Sequence, residues 1–226
     1  MKNFQGAKAF ICIPAFDSPG KRDATGAFRP ESVALVKALG LHANVRIFDN
    51  NRALPDRRKE VGLALDRVTD LDLVAFLCHG WRDGIQAGWT IQTVQDLGDR
   101  LALACKRDAT IALYCCDTAR DNDGDRKDDV ACGPGGRRGF ASCLSDAMRA
   151  RGWRGNLWAH PTTAHTTKNP YVRVFRQDEE PELGDWACEP HSEHWAKWQA
   201  AMQGAIRFRV LECETEAELA TRVGAL

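Results

Sequence analysis

The sequence has no excess of charge of either sign: 31 basic residues stand against 31 acidic ones, a formal net charge of zero. A nucleic-acid binder needs a basic stripe to meet phosphate, so that class of partner is not expected. No apolar run approaches the ~20 residues needed to cross a bilayer. The opening stretch MKNFQGAKAFICIPAF lacks the long apolar region and small-residue cleavage site of a signal peptide. The expectation is a soluble, cytoplasmic protein with no membrane partner. No Cys-x-x-Cys pair occurs, which leaves a structural zinc site without support. No Gly-x-Gly-x-x-Gly follows the first apolar run, which weakens a nucleotide-binding reading. No internal repeat is present. Neither a metal nor a cofactor is expected.

Cysteine, by contrast, is plentiful. The 226 residues include nine: Cys12, Cys78, Cys105, Cys115, Cys116, Cys132, Cys143, Cys188 and Cys213. The count is odd and no export signal accompanies it, so a disulfide framework is not expected. Most lie in apolar segments and read as small buried hydrophobes. Two apolar runs end on cysteine in a particular way. LDLVAFLCHG closes on Cys78, His79 and Gly80; ATIALYCCDT closes on Cys115, Cys116 and Asp117. A short aliphatic run bounded by polar residues is consistent with a buried parallel strand. In open α/β sheets the chemistry sits just beyond the carboxyl ends of such strands. Were the two runs neighbours, a histidine and a cysteine would lie side by side, as a cysteine nucleophile and its proton partner require.

The rest of the chain fits that frame. Strands are expected over 8–16, 44–48, 71–78, 110–116, 155–159 and 171–175, and helices over 31–39, 58–68, 93–104 and from Phe140 to a stop at Gly152. Segment 17–30, rich in Gly and Pro, reads as a loop, and 120–139 as a long polar one. The run Asp121 to Asp125 has part of a calcium-loop pattern but no glutamate at the twelfth position, so it reads as a solvated loop. Alternating strands and helices argue for an α/β fold with a mostly parallel sheet. The chain is expected to form one domain over 1–226. Its core would span 1–175, with an extension over 176–226 packed on it. That extension would carry a helix with Trp195, Trp198 and Met202, a strand with Ile206, Phe208 and Val210, and a last helix with Leu219, Val223 and Leu226.

VAFLCHG and ALYCCDTA together resemble the two motifs of the caspase-like cysteine peptidases, known as clan CD. The likeness is greatest to their CHAT branch, which includes separase-like proteases. The resemblance implies a caspase-like three-layer sandwich and a cysteine endopeptidase acting on protein or peptide. It gives His79 the histidine role and Cys116 the nucleophile role, 37 residues further on. Gly80 and Cys116 would supply the backbone amides of the oxyanion hole. Ala119 stands where the family often has glycine, and Cys115 where alanine is common. The thiolate is the reactive form of cysteine, and the histidine would take its proton and later protonate the leaving amine.

Each residue has a plainer reading beside this one. His79 alone also fits a strand end bonded to backbone. Cys115 competes as the nucleophile, but side chains alternate along a strand, so only one of the two can face His79. Trp81, Arg82, Asp83 and Gly84 either rim the site or are loop surface. His160 and His165, among threonines, line a cleft or a hydroxyl-rich turn. Relatives such as metacaspases and clostripain-like enzymes hold Arg or Lys with acidic residues. Asp17 and Asp117 are the substrate-binding candidates on that model, with loop or helix capping as the equal alternative. Segment 120–139 follows the candidate nucleophile and carries Arg126, Lys127, Arg137 and Arg138. It reads as a connecting insertion or as a self-processing linker. Two other functions fit the same residues: a catalytically inactive caspase-like interaction module, and a cysteine-dependent small-molecule hydrolase or acyltransferase.

Overall fold

The computed structural model describes residues 4–16, 28–120, 138–161, 173–175 and 185–186. Seven strands form the main sheet: β1 (Lys8–Pro14), β2 (His42–Phe48), β3 (Leu71–Leu77), β6 (Cys105–Tyr114), β7 (Leu157–Ala159), β8 (Arg173–Phe175) and β9 (Asp185–Trp186). A hairpin of β4 (Gly80–Trp81) and β5 (Gly84–Ile85) follows β3. The sheet runs β2-β1-β3-β6-β7-β8-β9. Its first five strands are mutually parallel, and β8 pairs antiparallel to both β7 and β9. The expected α/β class and mostly parallel sheet are therefore present.

Among the described residues, four helices flank the sheet: α1 (Phe28–Leu39), α2 (Leu54–Leu65), α3 (Val94–Ala104) and α4 (Phe140–Ala150). Two apolar cores separate by strand alternation. Phe10, Cys12, Val74, Phe76, Cys78, Ile111, Leu113 and Cys115 join Val61, Leu65, Leu97, Leu101, Leu144 and Met148 from α2, α3 and α4. Ala9, Ile11, Ile13, Leu73, Ala75, Leu77, Ala112 and Tyr114 meet Phe28 and Leu35 of α1 on the opposite face. A period of two in the strands thus builds two cores from one sheet.

Several boundaries moved. Helix α1 begins at Phe28, three residues before the expected start, with Pro30 inside its first turn. Proline is tolerated there because the first amides of a helix lack intrahelical acceptors. Helix α2 likewise starts at Leu54 with Pro55 at its head and ends at Leu65, leaving Val68 outside. Strand β6 begins directly after α3 and stops at Tyr114, so both adjacent cysteines lie in the turn beyond it. The β4–β5 hairpin and β9 were not expected; each has only two residues per strand, too short for alternation to register. Helix α4 packs on α3 so closely that a Cβ on Gly98 would lie 2.6 Å from the Ala147 Cβ. Apart from β9, segment 176–226 lies outside the described residues, as does 121–137.

Candidate active site

Strands β3 and β6 are central neighbours, and their last paired rung is Leu77 with Tyr114. Just past the strand ends, the Cys78 and Cys115 sulfurs lie 3.6 Å apart. His79 and Cys116 are the residues that follow them in each run. The next residue on the β3 side is tied to the same turn. A Cβ on Gly80 would stand 2.6 Å from the Cys115 Cβ and 2.8 Å from the Cys116 carbonyl oxygen. Only glycine permits that approach. Sequence reasoning placed both anchors at strand ends, and the sheet order makes those ends adjacent.

The two cysteines differ sharply in environment. Cys115 is fully buried, touches Cys78 and donates to the Phe76 carbonyl at 3.3 Å. Burial pushes its thiol well above the ordinary range, and the neighbouring Cys78 adds to the effect. Cys12, in the same core, is pushed up for the same first reason. A thiol held neutral in apolar surroundings is inert. Cys116 is only partly buried. His79 lies against α1: the Phe28 ring meets the His79 ring edge-on, with centroids 5.1 Å apart at 89°.

The turn that carries Cys116 is fixed from several directions. Asp117 has φ 58°, the left-handed region, which aspartate tolerates better than most residues. The Thr118 hydroxyl donates to the Cys115 carbonyl at 2.9 Å. The Ala119 amide donates to the His160 carbonyl, and the Ala141 amide at the head of α4 donates to the Thr118 carbonyl. Arg173, fully buried on β8, donates to the Ala119 carbonyl at 2.7 Å. A left-handed residue directly after a candidate nucleophile is a sharp backbone corner, and these bonds hold it.

The histidine is fixed as well. Gln86 brackets its backbone: the His79 amide donates to the Gln86 side chain at 3.3 Å, and the Gln86 amide donates to the His79 carbonyl at 2.8 Å. Arg57 of α2 donates in turn to the Gln86 carbonyl at 3.1 Å. Burial lowers the pKa of that guanidinium, without bringing deprotonation near neutral pH. The hairpin turn is pinned too, by the Phe140 amide donating to the Arg82 carbonyl and the Ile91 amide to the Asp83 carbonyl. The loops after His79 and Cys116 thus meet at the head of α4.

The other sequence candidates fall as follows. Asp117 is 9% exposed, directly beside Cys116. Asp17 lies outside the described residues. His160 is buried with its ring 5.9 Å from that of Tyr114, two residues before Cys116; His165 lies outside the described residues. Among the described residues, no group of three or more His, Cys, Asp or Glu could hold a metal. Sequence reasoning missed Gln86, Arg173 and Phe28. No motif marks them; each reaches the site only through folding.

Fold and site together define an α/β protein with a histidine and a partly exposed cysteine at adjoining strand ends. No protein-family model matches the sequence, and no curated protein does. One solved structure with some similarity is an aromatic amino acid aminotransferase with 3-indolepropionic acid. Its TM-score is 0.38 and its identity 10%, over 96% of this chain and 45% of that one. The chain spans less than half of that enzyme, and a likeness this slight carries no argument about activity. No helix among the described residues is long and apolar enough to cross a membrane.

Proposed function

We propose that this chain is a caspase-like cysteine endopeptidase of the CHAT type, acting on protein or peptide substrates in the cytoplasm. Cys116 is the nucleophile and His79 its proton partner. The observation that carries this reading is the register of β3 on β6. Its last paired rung is Leu77 with Tyr114, and just past it Cys78 and Cys115 touch in the buried core, which supports pairing the less buried His79 and Cys116 that follow them. In the reaction, His79 takes the thiol proton, and Cys116 Sγ attacks the scissile carbonyl carbon. The amides of Gly80 and Cys116 receive the oxyanion. His79 then gives its proton to the leaving amine, and water hydrolyses the thioester. Asp117, with Asp17, is the carboxylate pair proposed to hold a basic side chain before the scissile bond.

A peptidyl electrophile tests the reading. The wild type is expected to be labelled on Cys116, and both Cys116→Ala and His79→Ala to lose labelling and turnover while remaining folded. A labelled wild type that hydrolyses small thioesters but no peptide would favour the small-molecule enzyme. An unlabelled, folded wild type that captures a partner would favour the inactive interaction module.

A further inference from the structure

A Cβ on Gly80 would stand against the Cys115 Cβ, on the side of the larger core, so its neighbours along the extended β4 segment, His79 and Trp81, project to the opposite side, where His79 meets Phe28 of α1. Both are exposed. Trp81 is the one aromatic residue among the exposed large hydrophobics of the described chain, with 37% of its surface open. Its indole lies over Gly84, where a Cβ would come within 2.9 Å of Cζ2. The hairpin beneath it is anchored at Arg82 and Asp83 as described above, and the Ile85 amide adds a bond to the Trp89 carbonyl at 2.9 Å. The neighbouring charges are satisfied: Arg82 grips Asp83 with two bonds, at 2.9 and 3.0 Å. A flat, rigid apolar surface beside a neutralised ion pair suits an apolar partner rather than a charged one.

We infer that Trp81 is a specificity-determining residue that receives a large apolar side chain, aromatic above all, on the leaving-group side of the scissile bond. This rests on the peptidase reading above. The histidine must reach the leaving amine, so the hairpin that continues from it flanks the residue after the cleaved bond. The site then has two unlike subsites, carboxylates before the bond and an indole after it.

Cleavage of a peptide library that varies the residue after the scissile bond tests the inference, using wild type, Trp81→Phe and Trp81→Ala. The wild type is expected to prefer Phe, Tyr, Trp or Leu there over Gly by about tenfold in kcat/KM, equivalent to ~1.4 kcal/mol. Trp81→Ala should lose that preference, its kcat/KM falling far more for the apolar peptides than for the Gly peptide; Trp81→Phe should keep it. An equal fall for every peptide in Trp81→Ala would overturn the inference and mark Trp81 as merely structural. So would an unchanged preference, or a wild-type preference for Lys or Arg at that position that the alanine variant removes. A wild type that cleaves none of the library removes the peptidase reading itself, and this inference with it. An active wild type with an unaltered profile in Trp81→Ala removes the inference alone.

Discussion

The two faces of the central sheet receive the same two strand ends and make opposite use of them. On the face covered by α2, α3 and α4, Cys12, Cys78 and Cys115 are buried among Phe76, Leu97 and Leu113. One residue further along each run, His79 meets Phe28 of α1, and Cys116 is only partly buried. The environment of each thiol is therefore set by its burial, not by residue type. Adjacent cysteines in one turn are an inert core thiol and a candidate nucleophile because one is fully buried and the other only partly.

Exchanging the roles of those two cysteines gives the largest expected effect. Cys116→Ser should cost on the order of 10⁴-fold or more in turnover, as removal of a nucleophile does in comparable sites, with little change in stability. Cys115→Ser should do the reverse: labelling of Cys116 persists, while a hydroxyl replaces a buried thiol at a cost of about 1–3 kcal/mol. Paired labelling and urea denaturation check both. If Cys115→Ser abolished labelling in a folded protein, the contrast between the faces would be broken.

A second pair of variants compares the aromatic residues on the two faces. Phe76→Ala, in the larger core, should cost about 3–5 kcal/mol by opening a cavity. Phe28→Ala should cost less stability but loosen His79, slowing labelling by about tenfold through misplacement of a reacting group. Labelling rates at equal fractions folded separate the two effects.

The buried thiols also make the larger core sensitive to alkali. Cys12 and Cys115 have folded-state pKa values raised by burial. Their stabilisation is fully present below the unfolded thiol pKa of ~8.5 and declines above it, by up to ~1.4 kcal/mol per pH unit per thiol, until the folded pKa is passed. Urea midpoints should be level near neutral pH and fall in alkali, with a shallower fall in Cys115→Ala. The smallest effect belongs outside both cores. Arg151 grips Asp99 between α4 and α3, and this bond holds the aspartate below its usual pKa. Both groups are solvent-exposed, so Arg151→Ala should leave the thermal midpoint within error.

The sequence by itself determined the α/β alternation, the strand ends at which chemistry would sit, and the His79 and Cys116 candidates. Those features are local: apolar runs, their lengths and the residues that stop them. The difference between Cys115 and Cys116 in burial is tertiary: Cys115 enters the larger core and Cys116 stays partly exposed, and only the assembled sheet has a core. The adjacency of β3 and β6 is also tertiary, since nothing in either run states its neighbour. The supports of the site lie further still from any motif. Gln86 reaches His79 from the far side of a hairpin of two-residue strands, Arg173 reaches Ala119 across 54 positions, and Phe28 arrives from a helix whose first turn was read as loop. A single glycine shows the division. Gly80 was legible in the sequence as the residue after the histidine, but the need for glycine there comes from the Cys116 carbonyl oxygen, which folding brings within 2.8 Å of where a Cβ would stand.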